Sequence, residues 1–448
     1  MNVDLDRLRE ERLRSIDTKE NSIPFLRRGI RRYKQLSTTN SQWKVFGYFL
    51  ERFFSRGRSA IASRLMKLRS WSRRGGGWLL GGDREDALTY AIRITGGLGD
   101  ALIIARLARD LQAELGPVPF DVYFQSPETV EPFFRAIPGF RGCTDIDAFP
   151  AAVAQYSFVL LANQFVTFSK EHLKSQLLSR KAPKVLELVA HTERARKSIE
   201  MYIAVHPALD GAFADIVAPQ GRKRHTYLHD MIGLCYRGDA LDIPVDPQLP
   251  PQLGLDVGKY ITVHDGWDTK ARLMSDRPMK ALPQQTWKEI VAEIKAKRPD
   301  IQIVQLGGAT GGDIEGVDVN LKKKLTFLQS VSVLSESLLH IDTESGLVHV
   351  AASLGVRSVV AFGPTNVDWF CYPQNVNVRP KLCGNCWWVT DSWLDVCAAG
   401  HPVPVCTSRD SISPAEIASR ALEAIDLNAR YVSGCEKAGS VAGAIRAF

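Results

Sequence analysis

From residue 90 onward the apolar positions fall into short, nearly continuous blocks separated by longer stretches with helical spacing. The blocks at 90–95, 120–125 and 157–162 are too short for buried helices and read as strands covered on both faces. Between the first two, 101–115 repeats apolar residues every three or four positions, an amphipathic helix. Further helical stretches at 170–200 and 227–237 complete this unit, and the proline-rich 244–251 ends it. The rhythm then restarts, with strands at 260–264, 301–306, 338–342 and 356–362 and helices at 283–297, 325–334 and 345–354. A last helix at 413–425 opens with Ser413 as cap, Pro414 at the first helical position and Glu416 behind it. Strands alternating with helices predict parallel sheets flanked by helices, so the chain reads as two Rossmann-like α/β domains, 86–250 and 251–430. At 448 residues it is too long for a single core, in keeping with that division. Residues 431–448 form a tail without a readable pattern.

Upstream the pattern differs. Phe46, Phe49, Leu50, Phe53 and Phe54 recur at helical spacing, continued by Ile61, Leu65 and Leu68, with Lys44, Arg52, Arg56, Arg58, Arg64, Lys67 and Arg69 between them. Charge sharpens this: residues 1–80 hold 19 Lys and Arg against 7 Asp and Glu, a net of +12, so the rest of a chain of net charge +8 is at −4. The arm 1–85 therefore carries the basicity, and an apolar face beside an arginine-rich one at 43–74 suits an anionic membrane surface. The competing reading packs the same apolar stripe on the protein's own body. No nucleic-acid motif accompanies the charge. The glycines at 75–77 and 81–82 read as a linker. No apolar run of about 18 residues occurs, and the charged N-terminus lacks the apolar core of a secretory signal. The expected location is cytoplasmic, peripheral on the inner face of the cytoplasmic membrane where the arm meets lipid.

Three groups of residues carry candidate chemistry. Gly96, Gly97 and Gly99 follow the first strand and allow a sharp turn and close approach of a ligand to the backbone. Their spacing is not that of a dinucleotide fingerprint. Asp100, in the first turn of the next helix, is either a favourable cap or a general base at the carboxyl edge of the sheet. The second group is Thr343, Glu344, Ser345, Gly346, Leu347 and His349, where a strand delivers polar groups to a glycine turn and a helix N-terminus, a place for a diphosphate. A histidine in such a position is more often structural than a ligand. The third is Cys383, Cys386, Cys397 and Cys406, four thiols in a short insert at 381–408 flanked by Trp387, Trp388 and Trp393. In the cytoplasm such a group reads as a tetrahedral structural metal site, zinc by default, before it reads as disulfides. His401 could replace a cysteine, but with two prolines nearby it reads more as a loop residue.

The run from Glu344 to Ala352, followed by Phe362-Gly363-Pro364-Thr365, resembles the signature of the heptosyltransferase family of GT-B glycosyltransferases. Gly97-Leu98-Gly99-Asp100 is similar to that family's glycine–aspartate loop, and Arg277 to Pro283 to its phosphate-binding lysine segment. The resemblance implies a GT-B fold, Asp100 as catalytic base, Lys280 on the donor's phosphate, and a donor site including Gly97, Gly99, Thr343 to Leu347, His349 and Thr365. It implies inverting transfer of a heptose-like sugar from an ADP- or other NDP-activated donor to a hydroxyl of a bacterial surface glycan or protein, without a catalytic metal. The chain departs from the family at Glu344, where aspartate is usual, and in its basic arm. The cysteine insert resembles the four-cysteine iron finger of the autotransporter branch, which implies iron as the alternative metal and a homo-oligomer. Two rival readings are an inactive GT-B scaffold or assembly protein and a sugar-nucleotide epimerase.

Overall fold

In a computed structural model the structure describes residues 87–266, 277–390, 393–394 and 396–437. The arm 1–85, with the amphipathic helix expected at 43–74, and the end of the tail from 438 onward lie outside the described residues. The first sheet holds β1 (Tyr90–Ile94), β2 (Phe120–Phe124), β3 (Phe140–Asp145), β4 (Phe158–Ala162) and β5 (Val166–Phe168), in the order β3-β2-β1-β4-β5. All neighbours are parallel except β4 and β5. The second holds β6 (Tyr260–Val263), β7 (Gln302–Gln305), β8 (Val319–Asn320), β9 (His340–Thr343), β10 (Ser358–Ala361) and β11 (Val376–Val378), in the order β11-β10-β9-β6-β7-β8, parallel throughout. The helices used below are α1 (Leu98–Leu115), α2 (Pro127–Phe134), α3 (Arg224–Ile232), α4 (Gln284–Lys297), α5 (Phe327–Ser335), α6 (Gly346–Leu354), α7 (Val367–Phe370) and α8 (Pro414–Lys437). Two Rossmann-like parallel sheets make this an α/β protein of GT-B architecture.

The strand order determines where a ligand belongs. The chain leaves β1 toward β2 and β3, then returns to the other side at β4, and it does the same at β6 and β9 in the second sheet. Open parallel sheets bind ligands beyond the carboxyl ends of their strands at such reversals. The segments there are 95–100 after β1, 264–266 after β6 and 344–345 after β9.

The two halves are welded by α1 and α6. One apolar core runs through both, joining Ile92 and Leu102 to Val348, Val350 and Val360. A second core, with Ile261, Trp287, Ile290, Ile417 and Ala421, fills the far face of the second sheet beneath α4 and α8. Helix α1 is buried on most of its surface, so its inward polar groups need partners. Gln112 Nε2 donates to Tyr90 Oη (3.0 Å) and the Val118 carbonyl (2.7 Å), and Asp110 pairs with His229 (2.9 Å).

Several elements differ from the expectation. The stretch 170–200 is broken at Pro183 into Ser175–Lys181 and Pro183–Lys197, because proline cannot continue a helix that reaches it. Strands β3, β5, β8 and β11 carried no apolar block, being short or only half-buried. Helix α8 runs on to Lys437, past residue 425 and into the expected tail.

Candidate functional site

Asp100 sits in the first turn of α1, where Gly97 ends β1's loop. Its Oδ2 accepts from the Gly97 amide (3.0 Å), and its Oδ1 accepts from Arg224 Nη2 (2.6 Å). Arg224, from the start of α3, is 1% exposed and also donates to the Asn163 carbonyl (3.0 Å) after β4. Burial alone would push the Asp100 carboxyl up. Arg224's charge and hydrogen bond, with the Gly97 amide, outweigh it and hold the group below the usual carboxylate range. Asp100 is thus a cap and also an ionised carboxylate beside the junction of the halves.

Across that junction, β9 delivers Asp342, Thr343, Glu344 and Ser345. Asp342 is buried and accepts from His264 Nδ1 (3.0 Å), His340 Nε2 (3.2 Å), the Thr343 amide (2.7 Å) and the Ser345 hydroxyl. Burial opposes its charge, and the two histidines more than compensate, so it stays ionised far below the usual range. Ser345 in turn caps α6 by accepting from the Leu347 amide (3.2 Å), which is therefore engaged. Thr343 and Thr365 are fully buried, and their hydroxyls have no hydrogen-bond partner among the described residues.

Glu344 is the meeting point. Lys280 Nζ donates to its carbonyl (2.7 Å) and lies 3.7 Å from its Oε2, while His349 Nε2 is 3.6 Å from its Oε1. Burial would raise this carboxyl too, but Lys280 and His349 hold it low even against the repulsion of Asp100. Behind it, His349 Nδ1 meets Tyr372 Oη at 2.7 Å.

The glycines divide by role. A Cβ on Gly99 would stand 2.5 Å from His349 Cδ2, and one on Gly346 3.1 Å from Leu98, so these two let the halves touch. Gly96, at φ +137°, needs its conformation and has Asp100 against it, whereas Gly97 has nothing nearer than 4.0 Å. Asp100, Lys280, Glu344, Ser345 and His349 are thus gathered in one place. Arg224, Asp342, His264 and Tyr372 were not singled out from sequence. A carboxylate inside the strand at 338–342 was the one signal present, since a buried charge demands partners.

The cysteine insert packs against the same site from outside. The Met279 amide donates to the Leu394 carbonyl (3.0 Å), the Trp387 amide to the Pro364 carbonyl (2.9 Å), and Lys280 Nζ stands 5.5 Å from the centre of the Trp387 ring. Trp387 and Trp393 meet edge to face at 4.5 Å. Cys386, Cys397 and Cys406 are buried and Cys383 is partly so; all four are thiols. Burial, then repulsion from Cys383 and Cys397, pushes the Cys386 thiol up to about 12, and Cys406 is raised in the same way by its three neighbours. A soft thiolate donor set suits zinc or iron. Among the described residues, however, no three or more Cys, His, Asp or Glu stand at metal-holding spacing. The four-cysteine metal site expected from the sequence is not shown by this geometry.

Residues 245–381 match the family model described as Glycosyltransferase family 9 (heptosyltransferase). None of the curated protein sequences matches the chain. Among solved structures it is similar to the ADP-heptose lps heptosyltransferase II of E. coli, at 15% identity and TM-score 0.47, over 77% of this chain and 99% of that one. It is similar to a glycosyl transferase family 9 protein from Veillonella parvula, at 13% identity and TM-score 0.49, over 78% and 99%. A third is the iron-containing dodecameric glycosyltransferase TibC of enterotoxigenic E. coli, at 15% identity and TM-score 0.48, over 78% and 81%.

Proposed function

We propose that the chain is an inverting glycosyltransferase that moves a sugar from a nucleoside-diphosphate donor to a hydroxyl acceptor. The observation that carries this reading is the meeting of an ionised Asp100, from the first sheet's edge, with the Lys280–Glu344–His349 group on the second. Asp100 takes the acceptor's proton as its oxygen attacks the anomeric carbon. The departing diphosphate gains negative charge, which Lys280 and the N-terminus of α6 stabilise, so the step asks for no catalytic metal. Direct displacement inverts the anomeric centre. The family 9 match at 245–381 favours an ADP-activated, heptose-like sugar, with a bacterial surface glycan or protein as acceptor.

The test is nucleotide release from ADP- and other NDP-sugars by the purified chain, with and without acceptor. Asp100→Asn should lower kcat by about 100- to 10,000-fold, the usual worth of a general base. Equal turnover in the variant would remove Asp100 from the chemistry, and isomerised donor without transfer would favour an epimerase. We also infer that Cys383, Cys386, Cys397 and Cys406 close around structural zinc or iron when it is supplied. Elemental analysis should then find about one metal per chain, released by Cys386→Ser. The basic arm should carry the chain to anionic liposomes in a salt-sensitive way.

A further inference from the structure

One buried group belongs to neither the proposed chemistry nor a single half of the molecule. Arg106 projects from α1 with no exposure and reaches the second half. Its Nη1 donates to Tyr372 Oη (2.9 Å), its Nη2 to Ser353 Oγ (2.7 Å) and to the His349 carbonyl (3.4 Å), and Asp239 balances its charge at 2.9 Å. Tyr372 is held as firmly: His225 stacks on its ring at 4.5 Å and 19°, and His349 meets it edge-on at 5.5 Å.

The direction of every hydrogen bond in this group follows from what each atom can do. A guanidinium only donates, so Tyr372 Oη accepts from Arg106. Burial pushes the Tyr372 hydroxyl up to about 12, so it keeps its proton at neutral pH. That proton needs an acceptor, and the other hydrogen-bond partner of Oη among the described residues is His349 Nδ1, at 2.7 Å. Nδ1 is therefore the lone-pair nitrogen, and the ring hydrogen of His349 sits on Nε2. We propose that Tyr372, held by Arg106, is a positioning residue that fixes His349 as the Nε2–H tautomer. The N–H then points at Glu344, beside Gly99 and the Asp100 loop.

The consequence rests on the donor-site reading above. In this tautomer His349 presents a hydrogen-bond donor where a diphosphate or sugar oxygen would lie, and a tyrosine braced from the opposite half sets that donor. Docking of α1 thus helps to prepare the donor side.

The tautomer is readable without any substrate. Long-range nitrogen–proton spectra of the full chain labelled with 15N-histidine, assigned with His349→Gln, should show His349 protonated at Nε2. Tyr372→Phe keeps the stacked ring and removes the hydroxyl, and should turn that pattern into a mixture of tautomers while weakening ADP binding about three- to tenfold. A wild-type His349 protonated at Nδ1 would overturn the proposal, as would an unchanged spectrum or unchanged ADP affinity in Tyr372→Phe. If Tyr372→Phe fails to fold, the wild-type spectrum still decides the tautomer. The spectrum can contradict the proposal while sugar transfer stands, and absent transfer would leave the tautomer assignment intact.

Discussion

At the scale of single residues, Arg224 sets the character of the candidate base. Burial and a cation act on Asp100 in opposite directions, and the cation wins. A carboxyl held below its usual range is ionised at neutral pH, so its function as a base is lost only when pH falls through that lowered value. Arg224→Met removes the opposing charge and leaves burial in control. The acidic limb of the kcat/KM profile should then move to higher pH, and a limb that stays in place would show that Arg224 does not tune the base. Asp100, Lys280, Glu344 and His349 were legible in the sequence because short local runs carry them. Arg224 and Tyr372 were not, because their meaning lies in partners 124 and 266 positions away, at Asp100 and Arg106.

At the scale of elements, the insert after the Gly363-Pro364 turn is more than an appendage. Its Trp387 lies under Lys280, and its backbone is hydrogen-bonded to Met279, the residue before Lys280, and to Pro364. A cation over an indole face gains about 0.5–1 kcal/mol where partly exposed, which is a two- to fivefold effect on affinity. Trp387→Ala should weaken nucleotide-sugar binding by at least that much, measured by calorimetry, and more if the Lys280 loop shifts with it. Binding left intact would make the insert a neighbour without influence on the donor. Strands with buried, continuous apolar blocks could be read from sequence, since burial on both faces writes itself into composition. Strands β8 and β11 could not, because short, half-buried edges place few demands on their residues. The insert's cysteines stood out in the sequence, but the placement of Trp387 under Lys280 follows from the path of the chain, which spacing does not encode.

At the scale of the whole molecule, the two halves meet where α1 packs on α6. Gly99 touches the His349 ring and Gly346 touches Leu98, so α1 and α6 approach as closely as glycine permits. The alternation of strands and helices foretold two sheets. How tightly they close was hidden, since nothing in a Gly-Leu-Gly-Asp run says which surface the glycine will face. Gly99→Ala tests the closure directly. Its Cβ would fall 2.5 Å from His349 Cδ2, and that ring cannot swing aside while Tyr372 holds its other nitrogen at 2.7 Å. The halves must part instead, which carries Asp100 away from the Lys280–Glu344 group. A displacement of about 1 Å at a reacting centre costs on the order of 100-fold in rate. Lys280 and Glu344 both lie on the second half and keep their mutual contact, so ADP binding should change by less than kcat/KM does. A Gly99→Ala chain with undiminished turnover would mean that the contact at His349 has no part in aligning the two sides. Loss of ADP binding in step with turnover would mean that the alanine disturbs the donor side itself, and the closed junction would then have to be read as support for His349 alone.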